Sequence, residues 1–236
     1  MRFPERLVEG VLLRRYQRFL ADIRLADGST ITAHTPNTGS MLGCSEPGCR
    51  VWVRDSGNPA RKYPWSWEIS ETREGVLVGI NTLLSNRLVE EGIRNGAIPQ
   101  LAGYRSIRRE VRYGSGRSRI DLLLQGGTHR PDCYVEIKNV TAADGEVAFF
   151  PDAPTARGVK HLHELAGMAR QGGRAVLFFC IQRGDVRAVR PASHIDGNYA
   201  RTLRRVAAEG VEVLAYRADV SVEGIQLSSA ALDVLL

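Results

Sequence analysis

Two short segments carry the residues whose types and spacing point most directly to chemistry. Asp121 lies within residues 118–124, and Glu136 and Lys138 lie within residues 134–138. Carboxylate oxygens suit Mg²⁺ and Mn²⁺, which usually take one or two protein carboxylates and complete their shell with water and substrate phosphate. A lysine beside them can orient the attacking water or stabilise the charge that grows on the phosphate. We therefore interpret these three residues as the catalytic set of a metal-dependent nuclease, with Mg²⁺ or Mn²⁺ at Asp121 and Glu136.

The spacing of these residues predicts that they meet on two paired strands. Residues 120–125 and 133–138 are short apolar runs, and the glycines and the proline between them favour a hairpin connection. Pairing about the loop centre puts Asp121 opposite Ile137, to within one residue. Because successive side chains alternate faces, Glu136 and Lys138 share a face, and a one-residue adjustment of register brings Asp121 beside them. Buried charges need a partner or a metal, although a salt-bridged sheet edge fits the same pattern.

The choice of lysine at position 138 is itself informative. The chain has 29 arginines and only three lysines, Lys62, Lys138 and Lys160. Two of those three lysines lie in or near the predicted site. A chain that prefers arginine but keeps a lysine there favours a site that needs a compact, titratable ammonium.

Positive charge is concentrated just before the predicted site. The net charge is +6, and residues 87–119 contain eight arginines against three glutamates. This distribution favours a polyanionic partner, and we expect nucleic acid, with DNA as the first candidate. The candidate contacts in this segment are Arg105, Arg108, Arg112, Arg117 and Arg119. A merely solvated arginine-rich face is the alternative.

Residues 1–80 have the pattern of a small all-β unit. Strands are predicted at residues 6–14, 18–25, 29–34, 50–54, 63–69 and 75–80, with a tight-turn signal at Asp27 and Gly28. Five or six short strands in eighty residues indicate a closed barrel of the oligonucleotide-binding (OB) type.

One strand of this predicted barrel carries a row of aromatic residues behind two cations. Tyr63, Trp65 and Trp67 alternate, so the three rings share one face, and Arg61 and Lys62 precede them. Exposed rings on such barrels are platforms on which bases stack, which makes Arg61, Lys62, Trp65 and Trp67 candidate nucleic-acid contacts. Rings that fill the barrel core fit the pattern equally well.

From residue 81 onward the elements change character. Helices are predicted at residues 83–95, 155–171 and 198–209, and strands at residues 106–113, 119–125, 133–140, 174–182 and 211–216. The order helix, three strands, helix, strand is typical of the restriction-endonuclease-like core. The expected architecture is therefore α+β, with an OB-like β-barrel at residues 1–80 and an α/β restriction-endonuclease-like domain at residues 81–236, whose central mixed sheet is flanked by helices.

The helix predicted at residues 155–171 has an apolar stripe and a polar face. The polar face includes Arg157, Lys160 and His161, which we interpret as phosphate-positioning residues. A solvated, salt-bridged face and a docking surface for a protein partner are the alternatives. His161 and His163 are two residues apart and diverge around the helix, so zinc binding is not expected.

No membrane association is expected. No run approaches eighteen apolar residues, and the first residues lack the apolar stretch of a signal peptide. We expect a soluble, cytoplasmic protein, and nothing in the sequence predicts its oligomeric state.

Four longer segments together resemble one known family. Residues 34–41, 118–121, 134–140 and 150–162 are similar, in this order, to the bacterial sugar fermentation stimulation protein A family, and the resemblance extends over nearly the whole chain. It implies an OB-like barrel joined to a nuclease-like domain of the PD-(D/E)xK type, DNA binding, and a role in regulating sugar fermentation, especially maltose genes. It also implies Asp121, Glu136 and Lys138 as the triad, with Glu91 or Glu110 as a further metal-binding acid. Ile120 stands where the namesake motif has proline.

Two functions remain in competition at this point. The first is an Mg²⁺- or Mn²⁺-dependent phosphodiesterase acting on DNA or RNA, and the second is a DNA-binding regulator that does not cleave. The intact acid, acid and lysine set favours cleavage, because a pure binder gains nothing from carboxylates that face a phosphate backbone. The family description favours binding. No helix-turn-helix or zinc finger supports site-specific regulation.

Overall fold

The amino-terminal strands close into a barrel in the computed structural model, which describes residues 1–114 and 118–236. The six strands are β1 (Val8–Tyr16), β2 (Leu20–Leu25), β3 (Thr30–His34), β4 (Arg50–Asp55), β5 (Trp65–Glu71) and β6 (Leu77–Gly79). Their order is β3-β2-β1-β4-β5-β6, and a parallel pairing of β3 with β5 closes the ring, with Ala33 opposite Trp65. This closed five-strand barrel, with β6 added to β5, is the predicted OB-like architecture.

Turn chemistry and apolar alternation explain the barrel. Gly28 has a φ of 85° in the turn between β2 and β3, a left-handed conformation that glycine adopts without steric cost. Side chains from four strands fill the interior, among them Leu12, Ile23, Val53 and Trp67.

The rest of the chain builds a main mixed sheet and a small second one, with helices between the strands. Its elements are α1 (Ser85–Arg94), β7 (Ser106–Tyr113), β8 (Ser118–Gln125), β9 (Cys133–Val140), β10 (Ala143–Asp144), β11 (Val147–Phe150), α2 (Ala156–Arg170), β12 (Arg174–Ile181), β13 (Ala188–Pro191), α3 (Gly197–Ala208), β14 (Glu212–Val220), β15 (Ile225–Ala231) and β16 (Asp233–Val234). Short 3₁₀ helices lie at Thr82–Leu84 and Pro99–Leu101. The main sheet has the order β15-β14-β12-β9-β8-β7, and β12 is parallel to both of its neighbours.

Helices cover both faces of this sheet, as predicted. One apolar core joins the sheet to α1 and includes Val135 and Ile137 of β9. The other core joins the sheet to α2 and α3 and includes Val140 of the same strand. Because side chains alternate along a strand, Glu136 and Lys138 lie on the α2 side.

Most predicted elements are present within two residues of their expected ends. The exceptions are a small sheet, with the order β10-β11-β13-β16, and the strand β15, which the sequence analysis did not predict. Among the described residues, no helix is both long and apolar enough to cross a lipid bilayer.

Candidate functional site

The pairing of β8 with β9 brings the three predicted catalytic residues together. Leu122 lies opposite Val135, so Asp121 falls beside Glu136, one residue from the expected register and within the stated margin. The backbone N–H of Ile137 donates to Asp121 Oδ2 at 2.7 Å, which holds this carboxylate against β9. Asp121, Glu136 and Lys138 line a common cleft of about 620 Å³.

Glu136 is the most enclosed of the three and is only partly satisfied. Its residue is 2% exposed. Oε1 accepts a hydrogen bond from Lys138 Nζ at 2.7 Å and another from Nδ1 of His161. Oε2 is buried without a hydrogen-bond partner in the described part of the chain. A buried carboxylate oxygen without a donor is costly, so this position suits a cation.

The two carboxylates respond differently to their surroundings. Burial, and then the neighbouring charge of Glu136, raises the pKa of Asp121 to about 6. Burial also favours the neutral form of Glu136, but the hydrogen bond from His161 and the charge of Lys138 outweigh it and lower the pKa of Glu136. A site that resists a second negative charge is one in which a divalent cation would be strongly stabilised.

The donor set fits a hard divalent cation better than a zinc ion. Nowhere in residues 1–114 and 118–236 do three or more histidine, cysteine or acidic side chains group as metal ligands. Two protein carboxylates, Asp121 and Glu136, are nevertheless the usual number for Mg²⁺, which keeps several water ligands and takes phosphate oxygens from its substrate.

Glu110, a further predicted metal ligand, lies on β7 next to Asp121. The β7–β8 ladder pairs Arg109 with Leu122 and Val111 with Ile120, which leaves Glu110 facing Asp121 between them. Its φ is 52°, a left-handed conformation that is unfavourable for glutamate and is found disproportionately at functional sites. Its exposed side chain lines the same cleft as Asp121.

Glu91, the other acid that the resemblance implied, lies away from this site. Its Oε1 accepts a hydrogen bond from the amino terminus of Met1 at 2.8 Å, and it lines a separate surface depression. The helical residue that reaches the site is Asn86, whose Nδ2 donates to Asp121 Oδ1 at 3.0 Å. Five residues along an α-helix turn the side chain by about 140°, so Asn86 and Glu91 point to different sides of α1.

His161 shares a face of α2 with Arg157, as predicted, but it is buried there. Only 7% of it is exposed, because helix periodicity places it with Leu162 and Leu165 on the face that covers the sheet. Its Nε2 accepts from Arg157 Nε at 3.4 Å while Nδ1 donates to Glu136. His161 therefore orients Glu136, and its ring is not a surface contact for phosphate.

Exposed cations surround the opening of the cleft. Arg119, Arg157 and Lys160 line it, and Lys160 Nζ also lies 3.6 Å from Glu164. Arg119 stands directly opposite Arg112 across the β7–β8 pair, an arrangement of like charges that is unfavourable without an anion. Arg105 and Arg108 are exposed nearby, on or just before the edge strand β7. The predicted contact Arg117 lies outside the described residues.

The aromatic row of the barrel points inward. Trp67 is fully buried, and its indole N–H donates to the carbonyl oxygen of Ile69 at 3.0 Å. Trp65 is half-buried and packs against the same core. Trp67 is therefore not a platform for stacked bases. Arg61 and Lys62 precede this strand, where Arg61 donates to Ser66 Oγ at 3.2 Å and Lys62 Nζ lies 5.4 Å from the centre of the Tyr63 ring.

A second, larger cleft adjoins the first and was not predicted. It measures about 730 Å³ and shares Glu110, Asp121, Lys138 and Arg157 with the smaller cleft. Its far wall comes from the barrel, through Asn37 and Gly39, and from the turn that carries Thr82. Short-range sequence patterns cannot pair these segments, because they come together only when the barrel packs against the sheet.

Comparison with known proteins gives one consistent result. The description "Sugar fermentation stimulation protein RE domain" matches residues 83–224, and "SfsA N-terminal OB domain" matches residues 13–80. A sugar fermentation stimulation protein homolog of Thioalkalivibrio sulfidiphilus is 59% identical over 228 residues, covering 96% of this chain and 95% of the relative. The homolog of Geobacter metallireducens is 57% identical, covering 97% of each chain.

A solved structure is similar over the whole length. The structure of Pyrococcus furiosus SfsA in complex with Ca²⁺ superimposes with a TM-score of 0.89 at 28% identity, covering 100% of this chain and 98% of that one.

Proposed function

Since the chain belongs to the sugar fermentation stimulation protein family, we propose that it is a cytoplasmic DNA-binding protein that hydrolyses phosphodiester bonds with Mg²⁺ or Mn²⁺ at Asp121 and Glu136. In this proposal a barrel unit, residues 1–80, and a nuclease-like unit, residues 81–236, act together. The observation that carries it is the buried Oε2 of Glu136, which lies beside Asp121 and has no partner in the part of the chain that the structure describes. Burial and the charge of Glu136 raise the pKa of Asp121 to about 6. Neither property benefits a site that only binds anions.

Each residue of the site has a role in this chemistry. A divalent cation would neutralise the two carboxylates and polarise the phosphate. Asn86 and the N–H of Ile137 fix the two oxygens of Asp121, and His161 fixes Glu136. Lys138, held 2.7 Å from Glu136, can donate a hydrogen bond to the attacking water or to a phosphate oxygen.

The related Pyrococcus protein supports a divalent cation, because its structure was determined in complex with Ca²⁺. Ca²⁺ and Mg²⁺ both prefer oxygen ligands, although Mg²⁺ needs a tighter octahedral shell. The exposed Arg112 and Arg119, paired across the edge hairpin, support a polyanionic partner.

A non-cleaving DNA-binding regulator of sugar fermentation genes, those for maltose among them, is the second candidate. The name shared by the relatives and the exposed arginines near the edge strand favour it. It differs from the first candidate in one respect, namely whether the carboxylates take part in chemistry.

The experiment that separates the two candidates is cleavage of labelled single- and double-stranded DNA and RNA with Mg²⁺ or Mn²⁺. The controls are a chelator and the Glu136→Ala variant. Cleavage that needs both the metal and Glu136 is the expected result, and the substrate that is cut identifies the preferred nucleic acid. Binding that is unchanged in the variant, with no cleavage of any substrate, would establish the regulator.

Salt dependence tests the nucleic-acid partner separately from the chemistry. Affinity should fall steeply as salt rises, and Arg119→Gln should reduce the slope of log K against log salt by about 1. Arg170→Gln is the matched control, because Arg170 is exposed and pairs with Glu209 away from the clefts. Affinity that stays flat with salt would favour an apolar protein partner instead.

A further inference from the structure

The barrel loop at residues 35–41 lines the larger cleft, but the proposed function gives it no role. It follows β3 and forms one wall of the larger cleft through Asn37 and Gly39. Asp121 and Lys138 line the same cleft. A segment of the barrel thus faces the proposed catalytic residues across an open space.

The loop is held rigidly from several directions. Arg15 donates from one guanidinium nitrogen to the carbonyl oxygens of Asn37 and Gly39, each at 2.9 Å. From the second sheet unit, Asp152 Oδ2 accepts from the N–H of Met41 at 2.9 Å, and Thr82 Oγ1 donates to the carbonyl oxygen of the residue before Asn37 at 2.9 Å. Such bracing fixes the groups that the loop presents to the cleft.

Gly39 shows how closely the loop approaches its support. A Cβ atom at this position would lie 2.6 Å from one carboxylate oxygen of Asp152 and 2.8 Å from the other. A larger residue at this position would therefore require the Asp152 carboxylate to shift.

Asn37 is buried, but half of its amide group lacks a partner. The residue is 6% exposed, and its Oδ1 accepts from the N–H of Gly39 at 2.8 Å. Because the N–H of Gly39 can donate only to the oxygen of the Asn37 side chain, this bond fixes the orientation of that amide. Nδ2 therefore points away from Gly39. No acceptor in residues 1–114 or 118–236 bonds to Nδ2, although Asn37 lines the cleft. Nδ2 is therefore free to donate a hydrogen bond to a group that enters the cleft.

We propose that Asn37 Nδ2 donates a hydrogen bond to a backbone phosphate oxygen of the nucleic-acid strand that lies against Asp121 and Lys138. The barrel and the sheet then build one binding cleft, and the barrel contributes a direct substrate contact. Among the described residues that line the cleft, cations are in slight excess over carboxylates, so phosphate is an acceptor that they favour. The four cations are Arg87, Arg109, Lys138 and Arg157, and the three carboxylates are Glu110, Asp121 and Asp152. This inference rests on the proposed binding of nucleic acid, but it does not depend on cleavage.

The test measures binding of labelled single-stranded and duplex DNA and RNA to the full chain by fluorescence anisotropy, once with a chelator and once with Ca²⁺. Asn37→Ala removes the donor. Asn37→Asp also removes it but keeps an oxygen that accepts from Gly39 N–H, so the turn is preserved. Asn58→Ala is the matched control, since Asn58 lies in an exposed barrel loop and its Oδ1 accepts from Ala60 N–H at 3.0 Å in the same kind of turn.

The expected result is a graded loss of affinity. Asn37→Ala should weaken binding roughly 10-fold, the usual effect of losing a hydrogen bond to a charged group. Asn37→Asp should weaken it further, because a carboxylate repels phosphate. Asn58→Ala should bind like the unchanged protein, and thermal unfolding of each variant shows that it is folded.

Three other outcomes would overturn the inference, and they are distinguishable. Unchanged affinity in Asn37→Asp would show that Asn37 only shapes the loop. Equal losses in Asn37→Asp and Asn37→Ala would move the contact to a neutral acceptor such as a base. If the unchanged protein binds none of the nucleic acids, the proposed function itself fails.

Discussion

The protein contains two deeply buried glutamates, Glu68 in the barrel and Glu136 in the second sheet, which are 1% and 2% exposed. Both carboxylate oxygens of Glu68 are satisfied, since Arg54 Nε donates to Oε1 at 3.1 Å and Asn81 Nδ2 donates to Oε2 at 2.7 Å. Glu136 has two donors crowded on Oε1 and none on Oε2 among the described residues. The two glutamates are therefore about equally buried, but in the described part of the chain only Glu68 has a hydrogen-bond donor on each of its carboxylate oxygens.

This difference fits a structural role for Glu68 and the functional role that we propose for Glu136. A buried charge whose oxygens are all bonded stabilises a unique arrangement and is costly to disturb. A buried charge with a free oxygen, next to a second acid, stores unfavourable energy that a ligand can relieve. Burial alone does not distinguish the two, whereas the count of bonded oxygens does.

The largest expected effect is that of a substitution at Glu136, the glutamate with the unbonded oxygen. Glu136→Gln keeps the shape of the side chain but removes its charge, so metal-dependent cleavage should fall by about 10³-fold, close to 4 kcal/mol of transition-state stabilisation. The free energy of unfolding should fall only slightly, because loss of the ion pair with Lys138 is partly offset by relief of the repulsion with Asp121. Cleavage assays and urea unfolding of the same preparation measure both. A variant that loses activity only because it is unfolded would contradict the assignment.

The reciprocal change at Glu68 should act on stability alone. In Glu68→Gln the new side-chain NH₂ faces Asn81 Nδ2, so two donors oppose each other, and Arg54 loses its counter-charge. The free energy of unfolding should therefore fall by about 2–3 kcal/mol. Cleavage by the folded fraction should remain within threefold of that of the unchanged protein. Urea unfolding measures the first quantity and active-site-normalised rates measure the second. A large loss of rate in a fully folded variant would erase the distinction between the two glutamates.

A third prediction concerns pH and Asp121. Its folded pKa of about 6 lies above the ordinary 3.8, so the folded state binds the proton more tightly than the unfolded state. In the absence of metal, stability should therefore fall by roughly 3 kcal/mol as pH rises from about 4 to about 6, and then level off. Asp121→Asn should lack this fall. Glu136 titrates with the opposite sign at lower pH because its pKa is depressed, so the difference between the two proteins isolates Asp121.

Adding a divalent cation provides a control for the predicted effect of Asp121 on stability. Mg²⁺ or Ca²⁺ at pH 7 should raise the melting temperature of the unchanged protein, because a ligand that binds only the folded state stabilises it by mass action. Asp121→Asn and Glu136→Gln should show a smaller rise. An equal rise in all three proteins would place the cation elsewhere.

The sequence predicted those parts of the site that depend on short-range patterns. Alternation along β8 and β9 placed Asp121, Glu136 and Lys138 together, because a two-residue period and a short hairpin leave few registers. The family resemblance then extended the fold correctly over both sheets, as the comparison with known proteins confirms.

Features that depend on facing and on tertiary packing were not predictable in the same way. His161 was assigned to the polar face of α2 as a phosphate-positioning residue, but its ring is buried and bonds to Glu136 instead. Trp67 was compatible with either face of its strand until the barrel closed around it. Asn86 was not identified, because a single asparagine in the first turn of α1 carries no short-range signal of its bond to Asp121.

The smallest expected effect tests whether the site needs a lysine. Lys138 is 12% exposed at its side chain and donates to Glu136 Oε1 from a single nitrogen. Lys138→Arg keeps the charge, and so it should leave nucleic-acid affinity within threefold. Cleavage should nevertheless fall about 10-fold, because a planar guanidinium cannot place one donor on both the carboxylate and the attacking water. Lys160→Arg is the matched control: Lys160 is 52% exposed and lies 3.6 Å from Glu164, so the longer fork fits there and cleavage should not change. Equal rates for the two variants would mean that only a positive charge is needed at position 138. The presence of lysine there, in a chain that otherwise prefers arginine, would then have no functional explanation.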